Sequence, residues 1–302
     1  MSQLNVMIHH TTFRNPILGA SGTVGFGREL SRLFDVSTIG GLVSKAVTPQ
    51  PRRGNFAPRI AETAQGMLNA VGLENPGLEQ FKREVLADFS ELNCRRIVNL
   101  AAGSIEEYVD LARELREADI DGLELNLSCP NVKDGLSFGS DPKQIEGLMS
   151  RVRRVSDKPV WVKLTPNVTS ITDCAKAAEA GGADGISLIN TLLGMAIDIR
   201  SRRPILKNNT GGLSGPAIKP IALRMVHEVY QAVSIPVIGL GGIRCAEDVI
   251  EFMLAGASLV QVGTLILSDP ATFFELPREL DKLADRLGVT QITQLIGQLK
   301  TW

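Results

Sequence analysis

The sequence is poor in the residues that build disulfides, clusters and metal sites. Its 302 residues include four cysteines, Cys94, Cys129, Cys174 and Cys245, and three histidines. The cysteines are widely spaced and form no CxxC pair, which is typical of free thiols in a reducing cytoplasm. An iron–sulfur cluster needs clustered thiolates, so we do not expect this chain alone to house one. The histidines are too few and too scattered for a typical zinc site, and we predict no metal.

The sequence also lacks the signals of nucleic-acid binding, membrane insertion, secretion and a Rossmann nucleotide site. The 32 basic residues balance the 33 acidic ones, which argues against a surface for nucleic acid or anionic membranes. No apolar run is long enough to span a bilayer, and residues 1–15 lack the basic and apolar regions of a signal peptide. No GxGxxG motif opens the chain, so a Rossmann nucleotide site is not indicated. We therefore expect a cytoplasmic protein without nucleic-acid or membrane partners.

Short apolar runs alternate with helical segments along the whole chain. The predicted strands are Pro16–Ala20, Gly41–Lys45, Arg96–Leu100, Gly122–Leu127, Val160–Leu164, Gly185–Ile189, Pro236–Leu240 and Leu259–Val262. The predicted helices include Ile105–Ala118, Asp141–Val155, Ile171–Ala180, Pro220–Ala232 and Ala246–Ala255. Such alternation implies parallel pairing, and eight units indicate a closed (β/α)8 barrel more than an open doubly wound sheet. No linker is visible, so we expect one domain spanning residues 1–302.

Two connections are too long for a minimal barrel, namely residues 46–94 and 191–219. Long loops in a compact domain are usually lids or binding loops. Both follow predicted strands, on the face where barrel enzymes keep their active sites. We therefore expect them to elaborate the carboxyl-terminal face of the barrel. The tail, residues 269–302, is predicted to form helices packed outside it.

A polar or glycine-rich group closes every predicted strand. These groups are Ser21, Lys45, Asn99, Asn126, Lys163, Asn190 with Thr191, Gly241 with Gly242, and Gly263 with Thr264. One Asn at a strand end is more often a turn residue than a ligand contact, but in a barrel all eight groups meet at one rim. Backbone N–H groups after strands seven and eight are typical of a barrel phosphate site, although two ordinary tight turns are the alternative. A phosphate there, beside lysines and amides, suits a phosphorylated planar cofactor such as FMN.

Two lysines and one cysteine carry the candidate chemistry. Lysine is seldom buried without a partner, so Lys45 and Lys163 are predicted to face an anion at the barrel mouth. The alternative is a salt bridge to Glu124 or another inward carboxylate. Cys129 follows the fourth strand, where a thiol is a candidate acid, base or nucleophile. The other three cysteines are predicted to be inert and mostly buried.

Eight stretches, in order over nearly the whole chain, resemble the dihydroorotate dehydrogenases. They are Ser21-Gly22-Thr23 with Gly25-Phe26-Gly27, Lys45-Ala46, Asn69-Ala70-Val71-Gly72-Leu73-Glu74-Asn75-Pro76-Gly77, Asn126-Leu127-Ser128-Cys129-Pro130-Asn131, Val162-Lys163-Leu164-Thr165-Pro166, Asn190-Thr191, Gly211-Gly212-Leu213-Ser214-Gly215 and Gly241-Gly242. The resemblance implies an FMN enzyme on a (β/α)8 barrel that oxidises dihydroorotate to orotate in pyrimidine synthesis. A cysteine at the position of the base is similar to class 1.

The stretches 25–27 and 59–63 look most like subtype 1B. Catalytic subunits of that subtype pair with a second subunit carrying FAD and a [2Fe–2S] cluster, which passes electrons to NAD. The resemblance thus implies a heterotetramer, a homodimer of this chain joined by electron-transfer subunits. Three alternatives stay open: a class 1A homodimer that uses fumarate, a related FMN barrel acting on another dihydropyrimidine, and a non-catalytic barrel that binds a phosphorylated ligand.

The resemblance also assigns roles to individual residues. Cys129 would be the base. The FMN contacts would be Ser21, Lys45, Ala46, Asn99, Asn126, Lys163, Ile189, Gly215, Gly241, Gly242, Gly263 and Thr264. The substrate contacts would be Lys45, Asn69, Ala70, Val71, Gly72, Leu73, Asn126, Asn131, Asn190 and Thr191.

Overall fold

Eight parallel strands close into a barrel in the computed structural model, which describes residues 3–127 and 138–302. The strands are β1 Ile17–Gly19, β2 Gly41–Val43, β3 Arg95–Leu100, β4 Gly122–Asn126, β5 Val160–Lys163, β6 Gly185–Leu188, β7 Val237–Leu240 and β8 Ala257–Val262. Each strand pairs with the next one in sequence, and β8 closes the barrel on β1 by pairing Val260 with Ile17. The predicted (β/α)8 barrel is therefore confirmed, and all eight predicted strands are present with ends shifted by a few residues.

The strands are nearly continuous apolar runs because the barrel buries them on both faces. One face of each strand meets the surrounding helices, and the other contributes to the packed interior. Leu42, Val162 and Ile186 are all 0% exposed, as are Leu123 and Val260. One connected hydrophobic core runs from Val6 near the start of the chain to Ile292 near its end.

Ten helices of the described residues surround the barrel or extend its loops. They are α1 Arg28–Ser31, α2 Leu78–Gln80, α3 Leu86–Ser90, α4 Ile105–Glu114, α5 Pro142–Arg153, α6 Ile171–Ala180, α7 Lys219–Tyr230, α8 Ala246–Ala255, α9 Thr264–Ser268 and α10 Pro270–Arg286. A π-helical segment, Phe81–Val85, joins α2 to α3, and short 3-10 turns lie at Val36–Thr38, Phe138–Ser140, Pro216–Ile218 and Ile292–Leu295.

The predicted helices exist, and local capping explains where they begin. The side chains of Ser104, Asp141 and Ser170 accept hydrogen bonds from backbone N–H groups in the first turns of α4, α5 and α6. Helix α4 ends at Glu114, four residues before its predicted end, because the chain turns at residues 115–118. The helical tail is confirmed by α10 and the turn that follows it. None of the helices in the described ranges is both long and apolar enough to cross a membrane.

Both long connections meet in one small antiparallel sheet outside the barrel. Its strands, in spatial order, are Leu192–Gly194, Gly211–Ser214, Gly66–Asn69 and Ile60–Thr63. We call it the insertion sheet. Ala61, Leu68 and Leu206 form a separate small core beneath it. Two hairpins complete the described strands, Val6–Ile8 with Thr11–Phe13 and Ile197–Asp198 with Arg203–Pro204.

Candidate active site

The carboxyl ends of β4, β5 and β6 bring predicted site residues together. Asn126 at the end of β4 pairs in register with Lys163 at the end of β5, and Lys163 pairs with Ser187 of β6. Asn190, just beyond β6, donates from Nδ2 to Asn126 Oδ1 at 3.2 Å. The two amides are therefore linked directly across the rim, with Lys163 on the strand between them.

A buried polar network lies below this rim inside the barrel. Glu124 is 0% exposed, and its carboxylate accepts hydrogen bonds from Asn99 Nδ2 and Ser187 Oγ, both at 2.8 Å, and from Gln261 Nε2 at 2.5 Å. Within the described chain, Asn99 Oδ1 and Gln261 Oε1 are buried and accept no hydrogen bond. An acceptor left open in this way is costly unless a ligand or water donates to it.

For Lys163 the structure shows the ion pair with Glu124, the second of the two alternatives that the sequence left open. The residue is 5% exposed, and its Nζ lies 3.7 Å from Glu124 Oε1, so the predicted alternative of a salt bridge to Glu124 is present. That distance is longer than a hydrogen bond. Lys163 Nζ makes no hydrogen bond to any residue in the described ranges, and its N–H donors are available to a ligand at the mouth.

Lys45 lies just beyond β2 and is half-buried. Its backbone N–H donates to Gly25 O at 2.7 Å, whereas its ammonium has no hydrogen bond or ion pair with the described residues. Lys45 lines an open pocket with Arg52, Arg53 and Arg59, of which Arg59 pairs with Glu74 at 2.5 Å. Arg52 and Arg53 lie in the long connection between β2 and β3, which has no regular sequence pattern, so the sequence did not place them beside Lys45.

The first predicted substrate segment, residues 69–73, belongs to the insertion sheet and the turn after it. Asn69 pairs with Gly212 and donates from Nδ2 to Gly212 O at 3.4 Å. Gly72 and Leu73 have positive φ angles of 80° and 56°. A Cβ at Gly72 would lie 2.7 Å from Asn55 Cγ, so only glycine fits this turn.

Close contacts connect that segment to the rim. A side chain at Gly212 would overlap Thr191, so the insertion sheet lies directly against Thr191. The Thr191 N–H donates to Asn190 Oδ1 at 2.8 Å, and Asn190 bonds to Asn126. Asn69, Asn126, Asn190 and Thr191, which the sequence assigned together, therefore form one contiguous series through Gly212.

Two further residues hold this rim and were not predicted. Asn167 donates from Nδ2 to Thr191 O and accepts at Oδ1 from Leu193 N–H, both at 3.0 Å. The Tyr108 hydroxyl donates to Asn126 O at 2.7 Å. Asn167 directly follows the Thr165-Pro166 turn after β5, a position that resembles the strand-end pattern used for the other amides. Tyr108 gave no such signal because it lies within α4.

Glycine turns after β7 and β8 and in the insertion sheet complete the rim. Gly215, Gly241 and Gly242 have φ angles of 96°, 131° and 81°. A Cβ at Gly242 would lie 2.8 Å from Gly215 O, which shows how closely these turns approach each other. In the described chain, the backbone N–H groups of Gly241, Gly242 and Gly263 donate to no protein acceptor. Thr264 Oγ1 donates to Ser214 Oγ at 2.9 Å and joins β8 to the insertion sheet.

Asp248 holds the turn between Gly242 and α8. Its Oδ2 accepts from Arg244 N–H at 2.7 Å and Cys245 N–H at 3.2 Å, and its Oδ1 lies 2.5 Å from Lys219 Nζ. Burial by itself raises the pKa of Asp248, but the hydrogen bonds from Lys219 and the Arg244 N–H lower the pKa below its usual value overall. The turn that carries the free N–H groups is thus fixed by an ionised carboxylate.

The remaining predicted contacts lie where the strand order places them. Ser21 follows β1, where Ala20 N–H donates to Val262 O of β8, and Ala46 precedes Val47, whose N–H donates to Asn99 O. Ile189 is buried and its N–H donates to Leu240 O. Cys129 and Asn131 lie outside the described residues, so their assignments stay predictions.

The other cysteines divide into two kinds. Cys94 and Cys174 are buried free thiols as predicted; burial raises the pKa of Cys94 to about 12 and also raises the pKa of Cys174. The expectation of burial is wrong for Cys245, which is exposed. It occupies the N-cap of α8, where its side chain accepts from the Asp248 N–H, and a cap position lies at the surface end of the helix.

The residues present fit FMN as the predicted cofactor. Free N–H groups at the glycine turns are donors of the kind that hold a phosphate, and the open acceptor Asn99 Oδ1 and the open donors of Lys163 can meet the polar edge of a flat ring. The fold and this rim define the chain as a (β/α)8-barrel protein whose carboxyl-terminal face carries free N–H groups, linked amides and a buried lysine.

Comparison with known proteins narrows that class. The family described as "Dihydroorotate dehydrogenase" matches residues 3–284. The chain is 51% identical over 300 residues to the "Dihydroorotate dehydrogenase B (NAD(+)), catalytic subunit" of Geobacillus sp. (strain WCH70), covering 99% of this chain and 96% of that protein. Proteins of the same name from Bacillus cereus (strain AH187) and Bacillus anthracis (strain A0248) are also 51% identical over 300 residues, covering 99% of this chain and 97% of theirs. The chain belongs to the dihydroorotate dehydrogenase family.

Proposed function

We propose that this chain oxidises dihydroorotate to orotate, the step in pyrimidine synthesis that introduces the C5–C6 double bond. The reaction removes a proton from C5 and a hydride from C6, and FMN, when bound, accepts the hydride. The observation that carries the proposal is the buried Lys163 ammonium, with open N–H donors, beside the linked amides of Asn126 and Asn190 in a chain of this family. A cation and two amides at one rim suit a charged, imide-containing ring.

The assignment of FMN contacts follows the rim. Gly215, Gly241, Gly242, Gly263 and Thr264 would hold the phosphate through backbone N–H groups. Lys163 would lie at the N1 and C2 carbonyl edge of the flavin, where negative charge develops on reduction. The other contacts would be Ser21, Lys45, Ala46, Asn99, Asn126 and Ile189. The open acceptor at Asn99 Oδ1 supports placing a donor of the ring next to it.

The substrate would lie between the amides and the insertion sheet. Asn69, Asn126, Asn131 and Asn190 offer both a donor and an acceptor, which an imide edge requires and a carboxylate side chain cannot provide. Thr191 and the turn 70–73 would close the same space. Lys45, whose ammonium has no partner in the described chain, would neutralise the substrate carboxylate.

Cys129 would remove the C5 proton from the ring face opposite the flavin. A free thiol has a pKa of about 8.5, so only a minor fraction is thiolate at neutral pH. The proposed reaction needs a proton removed and no covalent bond to the enzyme, so a base is favoured over a nucleophile.

The electrons would leave through a partner. The relatives' names include "NAD(+)" and "catalytic subunit", which supports a second subunit that passes electrons to NAD. By the family resemblance, that subunit would carry FAD and a [2Fe–2S] cluster. Dimeric catalytic chains with two such subunits would form a heterotetramer. Cys94, Cys174 and Cys245 are free thiols, which supports a cytoplasmic location, and the continuous core from Val6 to Ile292 supports one domain over residues 1–302.

An assay with a choice of substrates and acceptors tests this function. The purified chain is expected to be yellow, with an absorbance band at about 450 nm, and to convert dihydroorotate to orotate with an artificial acceptor. NAD should serve only when the electron-transfer subunit is added. Use of fumarate instead would indicate the 1A type, and preference for another dihydropyrimidine would indicate a related enzyme. A colourless chain that cannot take up FMN would contradict the proposal and favour a non-catalytic barrel.

A further inference from the structure

A buried carboxylate lies directly below the rim, and none of the roles assigned above uses it. Glu124 precedes Asn126 by two residues on β4, so both side chains are on the interior face of the barrel. Glu124 is 0% exposed. A carboxylate in the interior is costly unless it is both paired with a cation and hydrogen-bonded. This raises the question of what the charge does for the residues above it.

The two oxygens of Glu124 have separate partners. Oε2 accepts from Ser187 Oγ of β6 at 2.8 Å and from Gln261 Nε2 of β8 at 2.5 Å. Oε1 accepts from Asn99 Nδ2 of β3 at 2.8 Å and lies 3.7 Å from Lys163 Nζ of β5. The three hydrogen-bonding partners all donate, which suits an ionised carboxylate. Three other strands therefore fix this charge in place, and a fourth carries the lysine beside it.

The geometry between Glu124 and Lys163 leaves the lysine free to bind a ligand. At 3.7 Å the two charges attract each other, but no hydrogen bond consumes a lysine donor. Hydrogen bonds from three other strands already hold the carboxylate in place. In this ion pair the carboxylate therefore restrains the position of the ammonium. Lys163 is 5% exposed, and burying an ammonium costs less when a counter-charge lies beside it.

We propose that Glu124 is a positioning residue that holds the Lys163 ammonium at the barrel mouth and sets how much positive charge the chain presents to reduced FMN. The proposal rests on the proposed function, because FMN is the ligand assigned to Lys163. Negative charge develops at the N1 and C2 carbonyl edge of a flavin on reduction. Glu124 offsets part of the ammonium's charge there, so it weakens the binding of reduced FMN relative to oxidised FMN.

The test compares Glu124→Gln, Lys163→Met and the double variant in the full chain. The reduction potential of bound FMN gives the ratio of the dissociation constants for reduced and oxidised FMN. Glu124→Gln should shift that ratio about tenfold in favour of reduced FMN, and Lys163→Met should shift it the other way. The double variant should match Lys163→Met, because the carboxylate acts on FMN by offsetting the charge of the ammonium, and Lys163→Met has no ammonium to offset.

Ser187→Ala is the matched control. It removes one hydrogen bond to Oε2 but keeps the carboxylate and its contact with Lys163, so the ratio should stay within about twofold of the wild type. The proposal is overturned if Glu124→Gln leaves the ratio unchanged. It is also overturned if Glu124→Gln shifts the ratio equally with and without Lys163, because the carboxylate would then act independently of the lysine.

A second measurement needs no flavin and tests directly whether Glu124 and Lys163 form a stabilising ion pair. Urea unfolding of the full chain without added FMN should show Lys163→Met as destabilised, because the carboxylate is left without its cation. The double variant should unfold at higher urea than Lys163→Met, and an equal or lower midpoint would overturn the pairing. This comparison holds even if Glu124→Gln alone does not fold. A wild-type chain that binds no FMN would instead contradict the proposed function.

Discussion

At the scale of single residues, strand alternation decides which side chains can reach the mouth. On β4, Leu123 and Leu125 face the helices, whereas Glu124 and Asn126 face the interior. Both leucines and Glu124 are 0% exposed, so exposure alone does not separate packing from function. The polar residues are distinguished by their partners, since Asn126 is bonded to Asn190 at the rim and Glu124 to three donors below it.

The first residue-scale prediction concerns Cys129. Replacing Cys129 by Ala should leave FMN bound but slow flavin reduction by dihydroorotate about a hundredfold or more, because the proposed base is lost. In the wild type the rate should rise with pH as the thiol ionises. Rapid-mixing absorbance measurements of the half-reaction give both results.

Cys245→Ser is the control for that experiment, because Cys245 is an exposed helix cap and serine caps a helix equally well. It should reduce its flavin at the wild-type rate. Near-normal reduction by Cys129→Ala, or a flat pH profile between about pH 6 and 9, would remove Cys129 from the role of base.

The sequence predicted the positions of site residues correctly where a short stretch of neighbouring residues carries the pattern. Lys163 and Asn126 were selected because each ends an apolar run, and the structure places them side by side. The sequence could not decide between a ligand and Glu124 as the partner of Lys163, because that choice depends on a separation of 3.7 Å across two strands. It also missed Tyr108, whose hydroxyl reaches Asn126 from a helix.

At the scale of elements, the loop between β2 and β3 is organised around Asn75. This buried side chain accepts at Oδ1 from the N–H groups of Thr48 and Gly77 at 3.2 and 2.8 Å, and donates from Nδ2 to Leu73 O at 2.7 Å. Asn75 therefore links separate parts of the long loop between β2 and β3. It also fixes the turn that ends the predicted substrate segment.

Asn75→Ala should lower the free energy of unfolding by about 2–4 kcal/mol, because buried backbone groups lose their partner. It should also raise KM for dihydroorotate, since the turn at Gly72 and Leu73 is no longer held. Urea unfolding and steady-state kinetics measure the two effects. Asn208→Ala, at an exposed turn, is the control and should change neither. Unchanged stability of Asn75→Ala would contradict this account of the loop.

The turn before α8 predicts a pH dependence. Because the pKa of Asp248 is lowered in the folded chain, its ionised form stabilises the fold above the unfolded-state pKa of about 3.9. That contribution is lost as the pH falls through the lower folded-state pKa. Asp248→Asn should therefore destabilise the chain at pH 7 more than in acid.

Urea unfolding of the wild type and Asp248→Asn at neutral and acidic pH measures this difference. Asp281→Asn, at a half-buried position on α10, provides a comparison with a carboxylate outside the turn. If Asp248→Asn loses the same stability at every pH, the carboxylate contributes through packing and not through its charge.

At the scale of the whole molecule, the barrel was predictable and the insertion sheet was not. The eight barrel strands are short apolar runs between helices, and each pairs with its neighbour in sequence. The insertion sheet instead pairs Gly66–Asn69 with Gly211–Ser214, two glycine-containing segments far apart in the chain. Glycine-rich strands carry little periodic signal, so local sequence patterns identified these regions only as long connections.

The most direct measurement of the central claim is an anaerobic titration of the purified, FMN-loaded chain with dihydroorotate. Each molecule of dihydroorotate should bleach one flavin at about 450 nm and yield one orotate, without any partner subunit. Adding the electron-transfer subunit and NAD should then restore the colour. A flavin that stays oxidised under excess dihydroorotate, or one that bleaches without formation of orotate, would contradict the account.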